Sequence, residues 1–589
     1  MKKLNNKNNY KKIISLLSVF FVFTSFLFSQ TELTNLNATW TNVIGGKVIS
    51  KPETTSYGFV SITDGKTIFS ISNNGILLWE KPLYTSKAII KTISDDFILT
   101  ITNSNKKITL LNPSGVGLWS KNTDWEIIDK PFEGRDGRFF LRGKDKVCCY
   151  GINGICKWEI STAEQSMLPV QELNDGSFEV FLKEIYEGKT KALRISPFGN
   201  IIEEIIFSGI VSKTNASKDG VLLCFTDGSA GLFSVEKNKA VNKWVLKTED
   251  SKIAKKSENI FVSEKDLNYC FYLTQNTQGG IKAYQVNTKD GKIMNEISVP
   301  EINISEITDS ALNQNGLFLQ NEKTAVLYNS NGKLLWNGKL PDKKNTPYLH
   351  SVLTQNMELV LFFNDWSMNS YRTLQKVSKK TNTQNKLNYN ENYKIDTSVY
   401  DTLFRFSFNN NLVNEERIMS LKSGYYAEDE IKYVSEAESA MQAYIKHLKA
   451  NNTGSRVEKS IFETNTASME LFFSTLPYFG SDEFSHYIAK LLLLEKNQSL
   501  LNMILSGVQK NAYDPNGEIL DALEKLASSK SKLDSSLIDN IFDAVYSVCR
   551  FMGRPAYNKS GKKILNKFLS GNSNKKALDT LKKISELDL

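Results

Sequence analysis

Two adjacent cysteines, Cys148 and Cys149, are the residues of this chain best placed for redox chemistry, because neighbouring thiols can close a vicinal disulfide. They lie in Lys146-Val-Cys-Cys-Tyr-Gly-Ile-Asn-Gly154, at the strand position that Ile108-Thr-Leu-Leu-Asn112 fills one repeat earlier. A vicinal disulfide strains the peptide and belongs in a turn, so this placement points instead to one small apolar side chain on each face of a strand. Of the six cysteines, only Cys149 and Cys156 fall on runs expected to be adjacent strands of one sheet, which makes them the candidate disulfide; Cys224, Cys270 and Cys549 stand apart. The three histidines, His350, His447 and His486, are isolated and there is no CxxC, so no metal-ligand set is expected. GxSxG, P-loop and HExxH patterns are absent, and no catalytic or cofactor-binding residue is assigned.

The elements that would position any such chemistry are announced by a recurring phrase, a turn glycine followed four residues later by tryptophan. The clear copies are Gly75-Ile-Leu-Leu-Trp79, Gly115-Val-Gly-Leu-Trp119, Gly154-Ile-Cys-Lys-Trp158 and Gly332-Lys-Leu-Leu-Trp336. Val241-Asn-Lys-Trp244 lacks the glycine, while Gly199-Asn-Ile-Ile-Glu203 and Gly291-Lys-Ile-Met-Asn295 lack the tryptophan. The anchors 79, 119, 158, 203, 244, 295 and 336 are 40, 39, 45, 41, 51 and 41 residues apart, the length of a four-stranded propeller blade. Within a unit, Tyr57-Gly-Phe-Val-Ser-Ile-Thr63, Asp64-Gly65 and Thr67-Ile-Phe-Ser-Ile-Ser72 give two alternating runs around a hairpin turn. The aspartates of Asp64-Gly65 and Asp227-Gly228 are read as turn residues, and the tryptophans as packing between blades.

Ring closure is also legible. Ala38-Thr-Trp40 lies 39 residues before Trp79 with no inner strands ahead of it, whereas Glu358–Phe363 and Ser367–Leu374 are inner strands with no closing phrase behind them. The fragments complete each other as an eighth blade shared by both ends of the propeller, spanning 31–378.

The phrases Tyr284-Gln-Val-Asn-Thr-Lys-Asp-Gly-Lys-Ile-Met294 and Ile68-Phe-Ser-Ile-Ser-Asn-Asn-Gly-Ile-Leu-Leu-Trp79 resemble the PQQ-like (quinoprotein-like) repeat family over roughly residues 38 to 378. The resemblance implies an eight-bladed propeller. It is silent about activity, since many members bind no quinone, among them a propeller that assists outer-membrane protein assembly. Quinone-dependent alcohol dehydrogenases of this fold carry a disulfide between adjacent cysteines, but the strand setting of Cys148 and Cys149 departs from that pattern. The units also lack long cofactor-covering loops, and no calcium ligands or base can be assigned.

Beyond the repeat, Lys2, Lys3, Lys7, Lys11 and Lys12 precede the sixteen-residue apolar run Ile13 to Phe28. Residues 1–30 therefore read as a cleaved export signal, leaving no stable transmembrane segment and a periplasmic or envelope location. Of the formal charge of +9, those five lysines account for five, and the remaining +4 does not suggest nucleic-acid binding. Residues 379–426 are polar and aperiodic and read as a linker, with Thr402–Phe408 as an isolated apolar segment. From 427 to 589 the apolar spacing is helical, and Ile519 to Ile584 resembles HEAT-type repeats, which implies an α-solenoid. The fold class expected is an eight-bladed β-propeller followed by an α-helical, HEAT-like domain. The function expected is that of a non-enzymatic, exported scaffold with protein partners in the cell envelope, similar to the outer-membrane-assembly propeller. The alternatives are a quinone (PQQ)-dependent dehydrogenase and a small-ligand or glycan-binding propeller.

Overall fold

A computed structural model describes residues 34–35, 38–373 apart from short segments of which 247–258 is the longest, Ile445, Leu448 and Lys449, and 482–587 apart from 529–532 and 570–573. The export signal, the linker 379–426, the segment Thr402–Phe408 and the start of the helical region lie outside the described residues.

Eight antiparallel sheets follow one another around a ring, spanning 53–82, 89–122, 132–161, 171–207, 211–246, 260–299, 309–339 and 348–372; they are blades 1 to 8 in that order. The last is completed by Trp40–Val43, which pairs antiparallel with Ser367–Arg372 through Trp40↔Ser370 and Val43↔Ser367. This closes the ring non-covalently, with both ends of the propeller in one sheet, and removes the exposed edge that an open stack of blades would leave. Blade 7 carries a fifth, outermost strand, Thr34–Asn35, added parallel to Leu334–Lys339.

The blades stack because each sheet is apolar on both faces. Phe178, Val180 and Leu182 of blade 4 pack on Trp158 and Phe140 of blade 3, while Phe181 turns the other way onto Val221 and Phe233 of blade 5. A bulge recurs beside the anchor in the outer strands of blades 1 to 7, for instance between Ser70 and Ile71 opposite Trp79 and Leu77. Such a bulge bends the strand and re-aims the tryptophan toward the next blade.

Among the described residues six complete helices follow: α1 (Asp482–Leu494), α2 (Gln498–Lys510), α3 (Glu518–Ala527), α4 (Ser535–Met552), α5 (Pro555–Leu569) and α6 (Lys575–Glu586). Helices α1, α3 and α5 pack in one row and α2, α4 and α6 in another, so that two layers close on a shared aliphatic core. Local capping fixes the boundaries. Asp534 accepts from Leu537 N at 2.7 Å to start α4. Asp514 starts α3 from outside the helix, its two oxygens accepting from Ile519 N at 3.1 Å and Leu520 N at 3.0 Å. Pro515 precedes α3, and its carbonyl accepts from the Tyr557 hydroxyl at 3.0 Å. None of the described helices is long and apolar enough to cross a membrane.

Candidate interaction surface

The tryptophan of one blade meets the turn glycine of the next. The indole N–H of Trp40 donates to Asn73 O at 3.0 Å, that of Trp79 to Pro113 O at 2.8 Å, that of Trp119 to Ile152 O at 2.9 Å and that of Trp244 to Thr288 O at 2.9 Å. A Cβ on Gly75, Gly115, Gly154, Gly199 or Gly291 would lie 2.6–2.7 Å from the indole of Trp40, Trp79, Trp119, Trp158 or Trp244 respectively. Gly75 also holds φ +79°, so both the close approach and the left-handed turn require the missing side chain. These anchors are mutual locks between blades. Trp336 packs against the cluster shared by blades 7 and 8, and Gly332 sits over Asn295, which holds the anchor place in blade 6.

Two of the three irregular copies in the sequence become one structural event. Blade 4 lacks the tryptophan and blade 5 lacks the glycine, and these are the two halves of a single lock. In its place the row Gln171, Glu179, Arg194, Glu203 crosses the four strands of blade 4 in register. Arg194 donates to Ser177 Oγ at 2.9 Å and to Glu203 at 3.1 Å, and Glu203 also accepts from Ala240 N of blade 5 at 3.3 Å. Glu179 is fully buried, and burial pushes its carboxyl up to about 8 despite the nearby Arg194.

Cys156 meets Cys148 and not Cys149. Cys149 pairs with Trp158 and faces blade 4 with Phe140, whereas Cys148 faces the blade 2 side beside Cys156 and donates to Glu159 at 3.1 Å, with Cys156 donating to Trp158 O at 3.5 Å. The bulge between Cys149 and Tyr150 is the reason. It sets Tyr150 opposite Cys156, moving Cys156 to the face it would not occupy in an unbroken ladder. All six cysteines are free thiols, so the Cys149–Cys156 pairing expected from the sequence is replaced by a Cys148–Cys156 contact.

At one end of the central channel, charged groups of both adjacent and non-adjacent blades meet around the ring of inner strands. Lys51 of blade 1 pairs with Asp309 of blade 7 at 2.7 Å, and Glu53 of blade 1 pairs with Lys91 of blade 2 at 3.3 Å and with Lys130 beside blade 3. Burial works against ionisation of Glu53, and the two lysines more than offset it, holding its carboxyl below the usual carboxylate range.

On the opposite face of the disc, the helical array is docked onto blade 2. Phe97, beside the turn Ser94–Asp96, packs on Tyr513 and Phe551 with ring centroids 6.0 and 5.4 Å apart. Asp95 and Asp96 are both left-handed, with φ of 60° and 63°. Arg554 reaches them at 3.3 and 3.4 Å, the Tyr513 hydroxyl donates to Asp95 at 3.1 Å, and Ser56 N of blade 1 donates to Asp96 at 2.7 Å. Burial pushes the Asp95 carboxyl up to about 6, against the pull of Arg554 and Tyr513. One of the last carbonyls of α4, which no helix can satisfy internally, and the carbonyl of its cap residue Gly553 are met by the propeller. Asn112 Nδ2 donates to Arg550 O at 2.9 Å and Ser114 Oγ to Gly553 O at 2.6 Å. One apolar cluster runs unbroken from the contact between blades 2 and 3 into the helices. No sequence signal marks this interface, because its partners lie more than four hundred residues apart and each side reads locally as an ordinary turn or helix end.

No protein-family model matches this chain, and no curated protein matches it. Among solved structures it is similar to BamB from Moraxella catarrhalis, at 12% identity and TM-score 0.39, over 58% of this chain and 99% of that one. It is similar to Saccharomyces cerevisiae Sqt1, at 11% identity and TM-score 0.41, over 58% of this chain and 100% of that one. It is also similar to the WD40 β-propeller domain of Doa1, at 12% identity and TM-score 0.33, over 58% and 98%. The assignment of eight blades rests on the sheet pairing of this chain itself.

Proposed function

We propose that this protein is a non-enzymatic scaffold of the cell envelope, exported by its N-terminal signal, that works by holding protein partners. The observation that carries the reading is the docked interface: aromatic, ion-pair and helix-capping contacts join propeller and helical array. A binder gains from such a pre-ordered body because less ordering entropy is lost on association. Exposed aliphatic side chains repeat just ahead of the anchor position in several blades, as Leu78, Ile202, Met294 and Leu335, and give the rim apolar footholds. The cross-channel ion pairs Lys51–Asp309 and Lys130–Glu53 also favour contacts on the outer surface over a ligand threaded through that mouth. Export is supported by the lysine-led apolar run at residues 13–28. The HEAT-like reading of the helices is supported by their two-row stacking.

The test is chemical cross-linking of tagged protein in intact envelopes, followed by mass spectrometry that assigns each link to propeller or helices. Reproducible links to one envelope complex are expected. Links no more frequent than those of an unrelated exported control, together with turnover of an artificial electron acceptor by purified protein given calcium and PQQ, would overturn the reading in favour of a dehydrogenase.

A further inference from the structure

Eight outer strands of the propeller carry an anchor residue, and among the described residues the position three beyond it is Pro82, Asn122, Ser161, Ser298 or Lys339 in five of them. Charged, small or proline residues at this place blunt an edge strand against unwanted pairing. Two blades depart from the rule: in blade 8 the position is Val43, 63% exposed, at the end of a strand of only four residues, and in blade 4 it is Ile206, 64% exposed, with the bulged Ile202 of the same strand 50% exposed. Glu204 lies between them with its side chain 62% exposed, in contact with Lys191 at 3.3 Å. The strand Ile201–Phe207 is seven residues long and terminal in its sheet, so one side of its backbone has no strand of the described residues beside it. Blade 7 shows that an outer edge of this propeller accepts an added strand, since Thr34–Asn35 pairs with its edge.

We infer that the outer edge of blade 4 is a strand-addition site for an extended segment of a partner protein, with aliphatic residues flanking a lysine or arginine. Backbone hydrogen bonds supply the pairing, and alternate side chains supply the choice of sequence. The apolar pair Ile202 and Ile206 selects aliphatic neighbours, and Glu204 selects a basic residue opposite it. A second copy of this chain is the wrong occupant: antiparallel pairing of two Ile-Ile-Glu-Glu-Ile-Ile segments would set glutamates against glutamates at the centre. The inference rests on the scaffold reading and narrows it to one edge and one partner chemistry.

The test uses the full exported chain and two synthetic peptides, Thr-Ile-Thr-Lys-Thr-Ile-Thr and the same peptide with Glu for Lys. Affinity is read by fluorescence anisotropy, and the site by hydrogen exchange of 201–207. The Lys peptide should bind roughly three- to tenfold more tightly than the Glu peptide, as cross-strand charge pairs allow, and should protect 201–207. Glu204→Lys should reverse the preference, and Ile206→Lys, the residue blade 7 carries there, should weaken both peptides without changing the melting temperature. Equal binding of both peptides, or binding unaffected by Ile206→Lys, would overturn the inference. Cross-links to a partner from other surfaces alone would sink this edge while leaving the scaffold reading intact.

Discussion

Gly553 ends α4 and touches the propeller at once, which makes Gly553→Ala a sharp probe of the docked interface. Its φ of +59° costs a non-glycine residue about 1 kcal/mol. An added Cβ would stand 2.4 Å from Asn112 Nδ2, and Asn112 cannot easily retreat. Its amide donates to Arg550 O, and its oxygen accepts from Ser114 N at 3.0 Å and Val116 N at 2.9 Å. Moving it loosens that amide bond and the neighbouring Ser114–Gly553 bond, each contributing about 1 kcal/mol, so the substitution should cost roughly 3 kcal/mol in all. Gly517→Ala is the matched control, because Gly517 is also left-handed at φ +72° but has nothing within 4 Å of an added Cβ; it should cost only about 1 kcal/mol. Hydrogen exchange by mass spectrometry separates the two. Gly553→Ala should lose protection both at the end of α4 and in the propeller turn 112–116, while Gly517→Ala should affect only the start of α3. A propeller turn as well protected in Gly553→Ala as in the parent protein would refute the docking argument.

Other consequences follow from the packing and the buried charges. The carboxyls of Glu179, Asp514 and Asp95 are raised by burial to about 8, 7 and 6, so the folded state holds their protons more tightly than the unfolded chain. Their stabilisation is fully present only below the unfolded carboxyl range, about pH 4, and is lost as pH rises from there through those values, so the melting temperature should fall from pH 5.5 to 8.5, with Glu179→Gln flattening the alkaline part; a flat or rising profile counts against it. Trp158 is buried between blades 3 and 4, and Trp158→Ala should cost about 3–5 kcal/mol in denaturant unfolding; a loss under 1 kcal/mol would mean the lock is not a lock. Cys156 is half-buried while the other five cysteines are buried, so one thiol of the reduced native protein should react with a disulfide dye, and Cys156→Ser should abolish that reaction. Reaction of several thiols at equal rates would contradict the packing.

The ring was legible because its signal is periodic and local. Turn glycines, anchors and alternating runs are set by neighbours within one blade, and Trp40 against Ser367–Arg372 completed the count. The cysteine contact was misread by one face, since a single bulged residue reverses the alternation and Lys157 carries no mark of being that residue. The degenerate copies at Glu203 and in blade 5 looked like decay, but space joins them into one altered lock. The docking of the helices was invisible for another reason. Asn112, Asp95 and Arg554 have ordinary local explanations as turn residues and a helix stop, and only tertiary packing gives them a common task.

The most direct test of the scaffold account is a photo-cross-linking amino acid placed singly at Leu78, Ile206 and Met294 on the rim and at Leu578 on the helical array, in living cells. The account predicts discrete adducts with the same envelope partner from at least one rim position, lost when a neighbouring aliphatic is changed to lysine. Absence of any adduct at all four positions, in a protein that reduces an acceptor when supplied with calcium and PQQ, would contradict it.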